Sequence, residues 1–130
     1  MKLCHPFLKG GGKIINLASS SALRADSEGY GAYAAVKEAI RALSRTAAVE
    51  WGPDSILVNC IMPLAKSTGM EWWMNERPEE AAEFVKTIPL GRVGDCKDDI
   101  GEAVCHLLSE GMSYITGSTI MIDGGQAFLR

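Results

Sequence analysis

Two short runs in which apolar residues dominate without alternating leave this chain few folds: 13–18 (Lys-Ile-Ile-Asn-Leu-Ala) and 56–61 (Ile-Leu-Val-Asn-Cys-Ile). A strand with one wet face shows a period of two. A strand apolar at nearly every position is covered on both faces, as in a parallel sheet. A third short run, 119–122, leads into the turn Asp123-Gly124-Gly125. Between the first two runs, residues 30–51 carry Val36, Ile40, Leu43 and Ala47 at helical spacing, with Glu38, Arg41 and Arg45 off that stripe. Strand, helix, strand, helix, strand predicts an α/β fold with parallel strands and right-handed crossovers.

Turn chemistry sets the remaining boundaries. Pro6 limits a helical stretch over 1–9, and Gly10-Gly11-Gly12 breaks it. Residues 19–29 are small and polar, a loop in which Asp26 or Ser27 is a candidate cap for the following helix. Gly52-Pro53 is expected to stop that helix, and Pro63 to end the second strand. In the less regular stretch 64–90, a short helix is expected over 70–75. Another runs from Pro78, well placed in a first turn, to about Thr87. Asp95 is a candidate cap for a helix through Ser109, with Ile100, Ala103, Val104, Leu107 and Leu108 inward and Gly111 at its end. All 130 residues are read as one domain.

Composition removes several function classes. With 47% hydrophobic and 22% charged residues the chain is globular, not disordered. A net charge of −3 and no basic cluster argue against nucleic acid as a partner. No apolar run approaches the length of a membrane span, and the first residues lack a secretory apolar stretch. Cys4, Cys60, Cys96 and Cys105 show neither close pairing nor metal-ligand spacing, so reduced thiols and a cytoplasmic location are expected. His5 and His106 are isolated, with His106 near the inward stripe of its helix; no metal site is assigned. Glu79, Glu80 and Glu83 read as a solvated helix face.

The chemistry concentrates in Ser20, Tyr33 and Lys37. Tyr33 and Lys37 are four residues apart, so on a helix they share one face. An ammonium beside a phenol favours the phenolate and brings the tyrosine towards neutrality, where it can give or take a proton. Ser20 follows the first strand, thirteen residues before the tyrosine, and its hydroxyl can position an oxygen near the phenol. Ser19 and Ser21 read as parts of a polar turn, and Asn16 as structural.

These residues, with the Val58-Asn59 pair before Pro63, the stretch IPLGRVGD and the tail YITGSTIMIDGG, occur in the order found in the short-chain dehydrogenase/reductase family. The chain resembles that family nearly end to end. The family's glycine-rich nucleotide-binding turn and its Asn-Asn-Ala-Gly segment belong upstream of these motifs. The resemblance therefore implies the C-terminal, catalytic half of a doubly wound Rossmann-like sheet, three strands with flanking helices. It implies NAD or NADP as cofactor and an alcohol or carbonyl compound as substrate. Tyr33 would be the general acid/base, Lys37 would also bind the nicotinamide ribose, and Ser20 would hold the substrate oxygen. Pro63 and Thr68 would line the nicotinamide end of the cofactor. That loop reads Pro-Gly-x-Val-x-Thr in the family and Pro63-Leu64-Ala65-Lys66-Ser67-Thr68 here, so Leu64 is expected either to exclude a close approach or to be strained.

Trp72 and Trp73 fall where the family carries variable substrate-covering helices. Adjacent tryptophans cannot both face inward on one helix, so one is expected to meet a substrate, a partner or solvent. A large apolar substrate is one reading, and packing in the core or at a subunit interface is the other. By resemblance the protein is an oligomer. The first strand, with an edge left to pair, also predicts self-association or pairing with another polypeptide. Against the oxidoreductase stand a binding or assembly module built from the same half, and a serine hydrolase. The hydrolase lacks a Gly-x-Ser-x-Gly elbow.

Overall fold

The computed structural model describes residues 1–25 and 29–127. Three strands, β1 (Lys13–Leu17), β2 (Leu57–Pro63) and β3 (Thr119–Ile122), form one parallel sheet in the order β1-β2-β3. Around it lie the helices α1 (His5–Leu8), α2 (Gly31–Trp51), α3 (Thr68–Glu76), α4 (Pro78–Lys86) and α5 (Glu102–Leu107). β2 is central and is buried from Val58 through Met62 without interruption. Five consecutive buried residues require cover on both faces, which is what the unbroken apolar run implied. On one face Val58, Cys60 and Met62 meet α2 and its neighbours in two clusters. Ala47, Ala48 and Ile56 belong to the first, with Trp51 and Ile14 against it; Ala18 belongs to the second, with Ile40 and Met121.

Several boundaries differ from the sequence expectation for local reasons. Ala18 leaves the first strand, although its N–H still donates to the Ile61 carbonyl at 2.8 Å. Pro63 closes β2 from inside it, at a strand end where a missing N–H costs least. Gly52 keeps helical angles and leads into a 3-10 turn, Gly52–Asp54; the left-handed stop is Ser55, at φ 59°. Asp26 and Ser27 lie outside the described residues; Tyr30 precedes α2 and makes no side-chain cap bond. Pro78 opens α4 and Asp95 caps its segment as expected, the carboxylate accepting from Lys97 and Asp98 N–H at 2.7 and 2.8 Å. That segment is a π turn, Cys96–Gly101, then α5, which ends at Leu107.

The stripe assigned to α2 is the main correction. Ile40 and Ala47 do face the sheet, but Val36 and Leu43 are exposed, at 60% and 61%. The buried face instead runs through Ser44, whose hydroxyl donates to the Ile40 carbonyl at 2.7 Å and accepts from Asn16 Nδ2 at 2.9 Å. Both hydroxyl functions are met, so a serine is stable there. His106 is exposed rather than inward, and His5 is not isolated: its Nε2 lies 2.9 Å from Asp54 and its ring 4.9 Å from Trp51.

Candidate active site

β1 delivers the chain to the sheet's C-terminal end. There Ser19, in an extended conformation, caps a 3-10 turn, Ser20–Leu23, its hydroxyl accepting from Ser21 N–H at 3.2 Å. Ser19 is thus committed to the turn and Ser21 is buried, while Ser20 stands half-buried at the turn's start. The turn packs against α2. Tyr33 and Lys37 sit in the first two turns of that helix. Tyr33 is 46% exposed, with its ring edge-on to Tyr30 at 6.0 Å.

Lys37 Nζ donates to the Leu17 carbonyl at 3.0 Å and lies over the Tyr33 ring, 5.5 Å from its centroid. Helical spacing puts the two residues on one face. The Leu17 carbonyl does something spacing cannot: it ties the ammonium to the strand end that Ser20 follows. A cation over an aromatic face is also attracted to the ring's electrons. A phenol, an ammonium and the turn that Ser20 begins thus gather at one end of the sheet. That set can hold an oxygen atom and exchange a proton with it.

The Pro63–Thr68 stretch behaves differently from a glycine loop. Leu64 N–H donates to the Ile122 carbonyl at 2.9 Å, and Lys66 N–H to the Gly94 carbonyl at 2.8 Å. Ala65 forms an isolated parallel bridge with Gly94. Among the described residues Ser55 is the one non-glycine with positive φ, so Leu64 is unstrained. Gly94 is the constrained position instead: a Cβ there would stand 2.9 Å from the Leu64 carbonyl oxygen. Pro63 is half-buried and Thr68, the first residue of α3, is exposed, with Ser67 capping the helix. For a dinucleotide the fit is therefore through side chains. Lys37 has three donors and uses one on Leu17, and Thr68 presents its hydroxyl, whereas the main-chain donors of Leu64 and Lys66 are already paired.

The two tryptophans diverge, as adjacency on a helix requires. Trp72 is 66% exposed, while Trp73 meets Phe84 of α4 edge-on at 5.7 Å. Two clefts flank this region. One, of about 480 Å³, lies at the ends of β2 and β3 between Leu64, Met121 and the Arg92–Asp99 pair; the other, of about 690 Å³, lies between α3 and α4. Among the described residues no group of three or more His, Cys, Asp or Glu is placed to hold a metal ion, and no helix is long and apolar enough to cross a membrane.

Two residues around the site escaped sequence reasoning in their roles. Asn59, buried in β2, donates to the Ile115 carbonyl at 2.7 Å and accepts from Ser118 N–H at 3.1 Å, binding the lead-in of β3 to the central strand. Its signal was a polar residue inside an apolar run. Asp123 accepts from Gly125 and Ala127 N–H at 3.0 and 2.8 Å and shapes the turn beyond β3.

Asp99 supports the first cleft. Arg92 grips it with two bonds, 2.5 and 2.7 Å, and Asp95 N–H adds a third at 2.6 Å. The guanidinium first, then the main-chain donor, hold its carboxyl well below the ordinary carboxylate range. A depressed folded-state pKa contributes stability fully present above the unfolded value, about 3.9, and lost as pH falls below it. Thermal melts from pH 6 to pH 2.5 should show Asp99→Asn with a flatter acid decline than the parent; parallel curves would reject this. Burial pushes the Cys60 thiol up, consistent with an inert core residue.

A family profile described as enoyl-(acyl carrier protein) reductase matches residues 1–127. A 12alpha-hydroxysteroid dehydrogenase from a Clostridium strain is 41% identical over 126 residues, 96% of this chain and 48% of that protein. Among solved structures, levodione reductase superposes with a TM-score of 0.83 at 33% identity, over 96% of this chain and 49% of its own. An active-site complex of RhlG with NADP from Pseudomonas aeruginosa superposes with a TM-score of 0.79 at 28% identity, over 97% of this chain and 51% of its own. The chain spans about half the length of the curated relatives it matches.

Proposed function

The chain belongs to the short-chain dehydrogenase/reductase family, and from that membership we propose that it carries the proton-transfer centre of an NAD(P)-dependent oxidoreductase acting on an alcohol and its ketone or aldehyde. The observation that carries this reading is Lys37, bonded to the Leu17 carbonyl and lying over the Tyr33 ring at the sheet's C-terminal end. A nicotinamide dinucleotide, when bound, supplies or accepts the hydride. Tyr33 gives a proton to the carbonyl oxygen in reduction and takes it from the hydroxyl in oxidation. Lys37 sets its positive charge over the Tyr33 ring and directs its remaining donors to the ribose hydroxyls. Ser20 hydrogen-bonds the substrate oxygen and keeps it within reach of the phenol. Pro63 and Thr68 border the nicotinamide, and Trp72, the open member of the pair, covers the substrate, with Trp73 buttressed on Phe84.

The NADP complex of one structural relative supports this cofactor class. A cytoplasmic location suits four free thiols. Carbonyl-dependent oxidation of NADH or NADPH by the longest polypeptide carrying these residues tests the assignment; no oxidation with any of a panel of ketones would overturn it.

Exposed apolar residues on α2 favour an assembly of like chains. Val36, Leu43 and Val49 are 60, 61 and 80% exposed, and the first two are seven residues apart on one face. Uncovered apolar stripes of this kind mark interfaces. Light scattering at micromolar concentration should report an oligomer that Leu43→Glu dissociates. A monomer in both forms would count against assembly through α2.

A further inference from the structure

Tyr33 is nearly half exposed, so the core does little to orient its ring. Among the described residues its hydroxyl has no hydrogen-bond partner. Two ring contacts remain, one on each side along the helix. Lys37, one turn on, lies 5.5 Å from the ring centroid and is itself tied to the Leu17 carbonyl. Tyr30, one turn before, meets the ring with centroids 6.0 Å apart and planes at 81°. Residues three and four apart are neighbours on a helix surface, so the two contacts bracket the phenol. A cation over a ring fixes distance but lets the ring pivot beneath it. A perpendicular aromatic pair sets the positive edge of one ring against the negative face of the other, which selects a tilt. Tyr30 is also a fixed support. Its carbonyl accepts the Ala34 N–H at 2.8 Å, in the first turn of α2. Its neighbours, Gly29 and Gly31, have no side chain that could take its place.

We propose that Tyr30 is a positioning residue, its ring holding the Tyr33 ring at the tilt from which the phenol reaches the substrate oxygen. This rests on the oxidoreductase reading of Tyr33 and adds a residue to it. Tyr30 acts through its ring, not its hydroxyl. Without that ring Tyr33 spreads over more orientations, and only the fraction correctly aimed transfers a proton. The loss therefore falls on kcat and spares KM.

Two measurements on Tyr30→Ala and Tyr30→Phe test this. The first is ¹H–¹³C spectroscopy of the full chain with labelled tyrosine rings; three tyrosines make assignment by substitution simple. Tyr30→Ala should move the Tyr33 ring signals towards those of free tyrosine, and Tyr30→Phe should leave them displaced. The second is NAD(P)H oxidation by the longest polypeptide carrying these residues. Tyr30→Ala should lower kcat by about two- to tenfold, the factor one aromatic edge contact contributes to an equilibrium, with KM unchanged. Tyr30→Phe should restore kcat. Unmoved Tyr33 signals in Tyr30→Ala, parental kcat in that variant, a change confined to KM, or a Tyr30→Phe as slow as Tyr30→Ala would each overturn the proposal. The spectra read the ring contact whether or not a carbonyl is turned over. A chain without NAD(P)H oxidation thus refutes the oxidoreductase reading and leaves the spectral result standing, and unmoved signals refute the positioning role alone.

Discussion

Tyr33→Phe should lower turnover of a carbonyl substrate by about 100- to 10,000-fold, the range that a positioned general acid or base contributes. The substitution removes one oxygen and keeps the ring, so the edge contact with Tyr30 and the cation contact with Lys37 both persist. Tyr33 is nearly half exposed, so losing its hydroxyl leaves no buried donor or acceptor unpaired and the fold should be unaffected. The loss should fall on kcat, with KM little changed, because in the proposed role the phenol acts on a proton in the transition state rather than on binding. The measurement is steady-state NAD(P)H oxidation by the longest polypeptide carrying these residues, with thermal melts confirming equal stability. A variant with parental kcat would remove Tyr33 from the chemistry. Loss of kcat together with a lowered melting point would assign the residue to packing.

Ile61→Ala should destabilise the chain by about 2–5 kcal/mol, the cost of truncating a buried isoleucine and leaving a cavity. Ile61 is fully buried in the middle of β2, opposite Leu17 of β1 and Ile120 of β3. Its carbonyl also accepts the Ala18 N–H, the last contact before the serine turn. A close-packed position between two neighbouring strands cannot collapse without moving both ladders, so relaxation is small. Domains are stable by roughly 5–15 kcal/mol, so this single change removes a large part of the total. Urea unfolding followed by circular dichroism measures it. A shift below about 1 kcal/mol would mean that the strands close over the cavity and that β2 does not hold the sheet together.

These two residues show how far the sequence could be read. Ile61 belonged to an apolar run whose lack of alternation already implied cover on both faces. Pro78 and Asp95 marked helix starts through their own backbone chemistry. Tyr33 and Lys37 announced themselves by a four-residue interval that a helix converts into proximity. What stayed hidden depended on partners distant along the chain. Val36 and Leu43 are as apolar as Ile40, and only the sheet's position separates the covered face of α2 from the open one. Leu64 was expected to be strained or obstructive. It is neither strained nor unpaired, because Ile122, fifty-eight residues on, receives its N–H.

Local pattern determined the parallel strands, the long helix and the tyrosine–lysine face, because each follows from bonds and spacings within a few residues. Tertiary structure alone decided that Lys37 would reach the Leu17 carbonyl and that Asn59 would tie β2 to the approach to β3. Those contacts join residues brought together only when the sheet closes, and a linear pattern holds no record of which distant groups then meet.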